Sequence, residues 1–298
     1  MPSAFSLPSF AKINLQLRIL GKREDGFHEL FTVFQTISLH DTLHFAESDT
    51  HELTCDYPTV PVDARNLIIK AATLLRAQFG VSQGAAVHLE KRIPSPGGLG
   101  GGSSNAAIAL IGLARLWELD DSVDLHRIAE DLGSDAPFFL YGGTAVGTGR
   151  GEAIELITDV NERCLLVVTP DIHVSTRDAF ERLSAPTLTK EASNRILRVC
   201  RDEARSLDLR HSALINDFEA SVFDAHPEVR RVKETLLELG AVNAAMSGSG
   251  ASVFAIFDKT ETRQAAIKAL DIESTWRKFA VATISRSEYR EALHLSQR

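Results

Sequence analysis

The residues best suited to chemistry fall in three places along the 298-residue chain. The first is the run at 94–107, PSPGGLGGGSSNAA, in which five of the six residues 97–102 are glycine. An apolar run at 106–116 follows at once, and Val87 and Leu89 with polar neighbours suggest a strand before it. Strand, glycine loop and helix in that order make an anion site. Glycines leave backbone N–H groups uncovered and let a ligand come close. A helix start adds unpaired N–H groups and a partial positive charge, and phosphate is the anion best matched to both. Ser103 or Ser104 is placed to cap this helix. A flexible linker is the competing reading, but Pro94 and Pro96 bound the run on one side and a long apolar helix on the other. The loop is not a Walker A loop, because Ser103 stands where Lys is required, and no register gives G-x-G-x-x-G.

The second place is the strand at 11–20. Ile13, Leu15, Leu17 and Ile19 alternate with Lys12, Asn14, Gln16 and Arg18, the period of a half-buried strand. Lys12 and Asn14 then share one side; alone, Lys12 reads as a solvated strand lysine. The third is Asp135, after the helix-stop Gly133 and before Pro137, Phe138 and Phe139. It reads as a turn former or a cap, or as a functional carboxylate in apolar surroundings. Phe27 and His28, beyond the turn at 21–26, could stack on a flat ligand or simply open the next strand. His40 and His44 sit in a strand-like stretch and give no metal spacing.

The elements that must position these groups alternate between helix and strand. Asn66 caps a helix that ends at Gly80, and a strand at 85–93 leads into the glycine loop. Helices at about 104–119 and 123–132 come next, the second started by Ser122, then a hairpin at 144–147 and 153–157. A boundary falls near 159–163. Beyond it come a strand at 164–169, a helix from Ser175, a loop at 186–190, helices at 191–206, 227–239 and 260–270, a strand–Gly/Ser loop–strand at 244–254, and a last strand at 279–284. The pattern is α+β or α/β in two lobes. The net charge of −8 argues against nucleic-acid binding through a broad basic surface, so phosphates must be met by local donors. Three scattered cysteines form no disulfide framework or zinc spacing, which points to a reducing, cytoplasmic setting. No signal peptide or membrane-spanning run is expected.

Three stretches taken together, AKINL at 11–15, the glycine run at 94–107 and SGSG at 247–250, resemble the GHMP kinase superfamily in order and spacing. GKREDGFHEL at 21–30, Phe34-Gln35, Asn66-Leu67, LGSDAPFF at 132–139 and NDFE at 216–219 are similar to its branch acting on a cytidine-diphosphate-linked methylerythritol, and the likeness covers nearly the whole chain. The resemblance implies an α+β, two-lobed fold, with a ribosomal-protein-S5-like N-terminal lobe (1–160) that binds ATP and a ferredoxin-like C-terminal lobe (161–298) for the substrate. It implies phosphoryl transfer from ATP, with Mg²⁺, to the 2-hydroxyl of 4-(cytidine 5′-diphospho)-2-C-methyl-D-erythritol, in the non-mevalonate route to isoprenoid precursors. Asp135 would be the general base and Lys12 would stabilise charge. Pro94, Gly97, Gly98, Leu99, Gly100, Gly101, Gly102, Ser103 and Ser104 would hold the ATP phosphates, with Asn66 and Leu67 near the adenine. Asn14 would bond the erythritol, Phe27, His28 and Phe34 would bracket the cytosine, and Gly248 and Gly250 would close on the phosphates or substrate. The metal ligands are left open, with Ser103 or Ser104 as candidates. The expected partner is a small molecule only, with no nucleic acid or membrane, in a monomer or homodimer.

The chain departs from that branch twice: Phe27 stands where Tyr is usual, and Pro96, which has no N–H, precedes the glycines. A mevalonate- or homoserine-type kinase would share the glycine loop but lack the Gly-Phe-His segment. A catalytically silent ligand-binding member would be favoured had Lys12 or Asp135 been lost. A purely structural S5-like module is opposed by the negative charge and the glycine loop.

Overall fold

A long antiparallel pair carries the rest of the first lobe. A computed structural model describes residues 4–23, 25–120, 123–183 and 190–295. In it β1 (Ala4–Lys22) pairs along its whole length with β2 (His28–Ser48). After them come β3 (His51–Cys55), α1 (Leu67–Phe79), β4 (Gly84–Glu90), α2 (Gly101–Leu116), α3 (Leu125–Leu132), β5 (Thr144–Gly149) and β6 (Ala153–Leu156). The far edge of β2 is shared: its first half pairs with β5 at Leu30–Gly149 and its second half with β4 at Thr42–Glu90. The six-stranded sheet thus runs β3-β4-β2-β5-β6, with β1 beside β2.

The second lobe contains β7 (Leu165–Pro170), α4 (Thr176–Glu181), α5 (Lys190–Arg205), α6 (Glu219–Ala225), α7 (Pro227–Glu238), β8 (Asn243–Met246), β9 (Val253–Ile256), α8 (Thr260–Ala269) and β10 (Trp276–Val281). Its four strands are ordered β10-β7-β9-β8, all antiparallel. A last helix, α9 (Arg286–Ala292), returns to the first lobe, where Tyr289 and Leu293 are buried in that lobe's core. Ser285 and Glu288 close a capping box at its start.

The half-buried strand expected at 11–20 is buried on both sides. Ala11, Ile13 and Leu15 pack with Leu165, Val167, Phe254 and Ile256 of the second lobe, while Lys12, Asn14 and Gln16 are at most 3% exposed. Strict alternation also fails. Asn14 opposes Phe34 but Gln16 opposes Val33, so one extra residue bulges from β1. The bulge turns the strand by one residue, and Leu17 lines the same cleft as Lys12 and Asn14.

Helix α2 begins at Gly101, three residues before the expected start, and its N-cap is Gly100 in the left-handed conformation with no side-chain cap. Ser103 and Ser104 therefore lie inside the first turn and cap nothing. The helix is buried nearly all round, from Ser104 to Leu113, which its lack of an amphipathic stripe reflects. Gly112 is required there: a Cβ would sit 2.3 Å from the Phe45 ring. Asp124 caps α3, two residues beyond the expected Ser122, which with 186–189 lies outside the described residues. The final strand begins at Trp276 and ends at Val281, three residues earlier than expected at each end.

Candidate active site

Lys12 is brought to Asp135 at the bottom of a cleft of ≈ 380 Å³ between the lobes. The Lys12 Nζ is 3.2 Å from Asp135 Oδ2, with the lysine 3% and the aspartate 33% exposed. The cation is buried and the carboxylate faces the space. Lys12 Nζ also donates to Asn14 Oδ1 at 2.6 Å. Asn14 Nδ2 in turn donates to Thr32 Oγ1 at 2.7 Å, and the Thr32 hydroxyl donates to the Gln16 carbonyl at 2.8 Å. This relay fixes which way the Asn14 amide points and holds the ammonium in place. Asp135 sits on the turn between Gly133 and the short 3₁₀ segment Pro137–Leu140.

The glycine run divides into two parts. Gly98 and Gly100 adopt positive φ, and the Leu99 side chain is buried while its carbonyl accepts the Lys12 N–H at 3.0 Å. Leu99 is therefore an anchor to β1. From Gly101 the chain is helical, and the first intrahelical bond runs from Ser104 N–H to Gly100 O at 2.8 Å. The N–H groups of residues 100–103 precede that bond and have no intrahelical partner. Residues 100–103 line the cleft beside Lys12, where the helix dipole favours an anion. Ser103 lines the cleft. Ser104 does not: its side chain is fully buried and its hydroxyl accepts from Ser9 Oγ at 2.7 Å.

The second lobe closes the site with the loop at 247–250. Ser247 Oγ donates to Gly98 O at 2.9 Å and accepts Asn14 N–H at 3.3 Å. Asn216 Nδ2 donates to the carbonyls of Met246 and Gly248 at 2.7 and 2.8 Å. A Cβ on Gly248 would come within 3.4 Å of Lys12 Nζ, so the loop reaches the reacting centre. Gly250 also lines the cleft.

The three aromatic-segment residues separate. His28 stacks on Phe180 of α4, centroids 5.1 Å apart, and Phe180 lines the cleft. Burial and then the nearby Lys22 hold the imidazole below its ordinary pKa, so at neutral pH it offers one donor and one acceptor. Phe27 is 52% exposed, with the Arg150 guanidinium 5.1 Å above its ring. Phe34 lies apart from the other two: it lines the cleft at Lys12, buried and stacked on Phe138 at 4.9 Å, with the Lys12 ammonium 5.6 Å from its ring centroid.

A smaller pocket of ≈ 210 Å³ adjoins the cleft, lined among others by Tyr57, Asn66, Leu67, Lys91 and Gly102. Asn66 lies here with its side chain committed, accepting from Ile68 N–H and donating to Pro61 O. Lys91 is held by Asp41, 2.8 Å away; the two side chains are 6% and 0% exposed. Burial pushes the Lys91 ammonium below its ordinary pKa, against the pull of Asp41. Asp41 also accepts the N–H groups of Arg92 and Ile93, each at 2.7 Å, and so pins the strand end just before the glycine run.

Sequence reasoning missed Thr32, Phe180, Ser247 and Arg150 as parts of the site. Phe180 and Arg150 carry no spacing signal; Ser247 lies inside the SGSG motif, where the glycines dominate the pattern. Among the described residues no group of three or more His, Cys, Asp or Glu side chains could hold a metal ion, and no helix is long and apolar enough to cross a membrane.

A glycine-lined helix start beside a buried lysine and its cleft-facing aspartate, spanned by two α+β lobes, is the arrangement of the GHMP kinase class. The N-terminal model of GHMP kinases matches residues 66–143 and the C-terminal model residues 196–274. The chain is 42% identical over 269 residues to the 4-diphosphocytidyl-2-C-methyl-D-erythritol kinase of Chlorobium phaeobacteroides, covering 89% of this chain and 90% of that one. A crystal structure of a 4-(cytidine 5′-diphospho)-2C-methyl-D-erythritol kinase superposes with TM-score 0.75 at 31% identity, over 94% of this chain and 99% of that one. A homoserine kinase structure from Cytophaga hutchinsonii shares the fold with TM-score 0.71 at 20% identity, over 97% of each chain. The chain belongs to the 4-diphosphocytidyl-2-C-methyl-D-erythritol kinase family.

Proposed function

We propose that this chain transfers the γ-phosphoryl group of ATP to the 2-hydroxyl of 4-(cytidine 5′-diphospho)-2-C-methyl-D-erythritol. The observation that carries the reading is the Lys12–Asp135 pair set against the N-terminus of α2. Asp135, the more exposed partner, takes the hydroxyl proton as the oxygen attacks phosphorus and the bond to the bridging oxygen of ADP breaks. Lys12, desolvated and aimed by Asn14, stabilises the charge carried by the phosphoryl oxygens. Backbone N–H groups of residues 100–103 receive the ATP phosphates, and the ≈ 210 Å³ pocket beside them takes the adenine. His28 and Phe180, with Phe27 at the rim, form the cytosine site. The lobe division falls between β6 and β7, with α9 joined to the first lobe.

The cleft offers the Ser103 hydroxyl, its carboxylate Asp135 being paired with Lys12. That donor set fits a Mg²⁺ that arrives on the nucleotide and keeps phosphate and water oxygens as most of its ligands. Ser103 is the residue that would hold it; the Ser104 hydroxyl is turned to Ser9 instead. When bound, the ion supplies neutralisation of charge on the β and γ oxygens.

The test is ADP release with ATP, Mg²⁺ and the cytidine diphosphate substrate, for wild type and Asp135→Asn. Wild-type turnover is expected, with kcat falling about 10²–10⁴-fold in the variant. Unchanged turnover in Asp135→Asn refutes the base assignment. Activity on homoserine or mevalonate, and none on the cytidine substrate, refutes the substrate.

A further inference from the structure

The charged side chains lining the cleft, among the described residues, are three: Lys12, Asp135 and Arg150. Lys12 and Asp135 offset each other. Two anions must nevertheless fit, the triphosphate of the donor and the diphosphate of the acceptor, and the N–H groups at the start of α2 serve only the first. Arg150 remains.

Its position is built by a tight turn. Gly149 and Gly151 on either side have positive φ, and Arg150 N–H is held by Glu152 Oε2 at 2.6 Å, Gly149 N–H by Glu29 Oε1 at 3.2 Å. On one side the turn reaches the reacting centre, since a Cβ on Gly151 would lie 3.8 Å from Asp135 Oδ1. On the other, the guanidinium covers Phe27, which adjoins the His28–Phe180 stack. Arg150 therefore stands between the cytosine site and the base. In the substrate, what connects cytosine and ribose to the reacting erythritol is the diphosphate.

The guanidinium is available for that role. Its carboxylate neighbour Glu152 is 3.6 Å away, with side chains 35% and 20% exposed. A partly solvated pair at that distance holds weakly, whereas the guanidinium fork fits phosphate oxygens bidentately. We propose that Arg150 binds the diphosphate of the cytidine substrate, making it a specificity-determining residue that reads the charged linker rather than the base. This rests on the function proposed above.

The probes are cytidine and CDP, titrated calorimetrically into wild type, Arg150→Gln and Arg150→Lys. Wild type should prefer CDP, and Arg150→Gln should lose about 10–100-fold of CDP affinity, the worth of a charge-assisted hydrogen bond or two. Its affinity for cytidine should change far less, through the Phe27 contact alone, and Arg150→Lys should fall between. In turnover, KM for the cytidine substrate should rise by a like factor while KM for ATP stays the same. Arg150 is on a partly exposed turn, and an unchanged melting temperature shows that each variant is folded. CDP affinity equal in wild type and Arg150→Gln overturns the inference, even where turnover upholds the kinase reading. So does a loss of kcat or a rise in KM for ATP with substrate KM unchanged, which would place the guanidinium on the donor. A wild type that binds CDP no better than cytidine overturns it as well.

Discussion

Adding one methyl group to Gly98 should cost more than adding one to Gly102, four residues further on. At Gly98 φ is +71°, and a Cβ would lie 2.0 Å from the Ser247 carbonyl oxygen and 3.1 Å from that of Gly250. The left-handed backbone alone costs about 1–2 kcal/mol for a residue with a Cβ. The clash is with backbone, so the two loops must part by about 1 Å to restore van der Waals contact. Parting them strains two bonds across the lobes, Ser247 Oγ to Gly98 O at 2.9 Å and Ser252 N–H to Gly97 O at 3.2 Å. Each is worth about 1 kcal/mol. Gly98→Ala should therefore destabilise by about 3–4 kcal/mol in urea unfolding. Because Lys12 N–H hangs on Leu99 O, kcat should also fall about 10²-fold, the cost of a 1 Å misplacement. At Gly102, inside α2, a Cβ meets only Leu67 Cδ1 at 3.8 Å. Gly102→Ala should leave stability unchanged or raise it by up to about 1 kcal/mol through helix propensity. Equal midpoints for the two variants would refute the claim that Gly98 is selected by the contact between lobes.

Two further outcomes follow from buried and capping charges. Asp41→Ala leaves Lys91 buried without its partner and strands the N–H groups of Arg92 and Ile93; unfolding should show a loss of about 3–5 kcal/mol, and a loss below about 1 kcal/mol would contradict it. Glu288 has its pKa lowered to about 2, first by the Ser285 backbone N–H, then by the Ser285 hydroxyl and Arg163. A depressed carboxyl pKa means that the unfolded chain binds the proton first as pH falls. Its stabilisation is thus complete above the ordinary value of 4.5 and is lost as pH drops toward 2. Glu288→Gln should flatten that part of the acid-unfolding curve, and an unaltered slope between pH 5 and 2 would count against the capping box.

The glycine run was legible because its chemistry is local: residue types that uncover N–H groups also shape the backbone that presents them. The caps at Asn66 and Gly80 were legible for the same reason. Period-two alternation located β1 but not its two-sided burial, because the second lobe that covers it is contributed by Leu165, Val167, Phe254 and Ile256, far along the chain. The bulge after Asn14 left no mark, since the apolar alternation continues through it while the pairing slips. Phe34 and His28 look alike as aromatic residues on one strand; only the partners Phe138 and Phe180 make one a floor and the other a wall. The last helix is announced by a single local signal, the S-x-x-E of the capping box at Ser285, with no long apolar stripe behind it.

That helix gives the enzyme a timetable. Tyr289 donates a hydrogen bond to the carbonyl of Phe139, 150 residues away, and its ring lies where a Cβ on Gly142 would fall. The segment so braced is the one that follows Asp135. During synthesis at about 5–20 residues per second, roughly 8–30 s separate the emergence of the two partners. Through that interval the ribosome-bound chain already carries the glycine loop, Lys12 and Asp135, yet lacks the brace behind them. The first lobe is thus finished last, after the whole of the second has emerged.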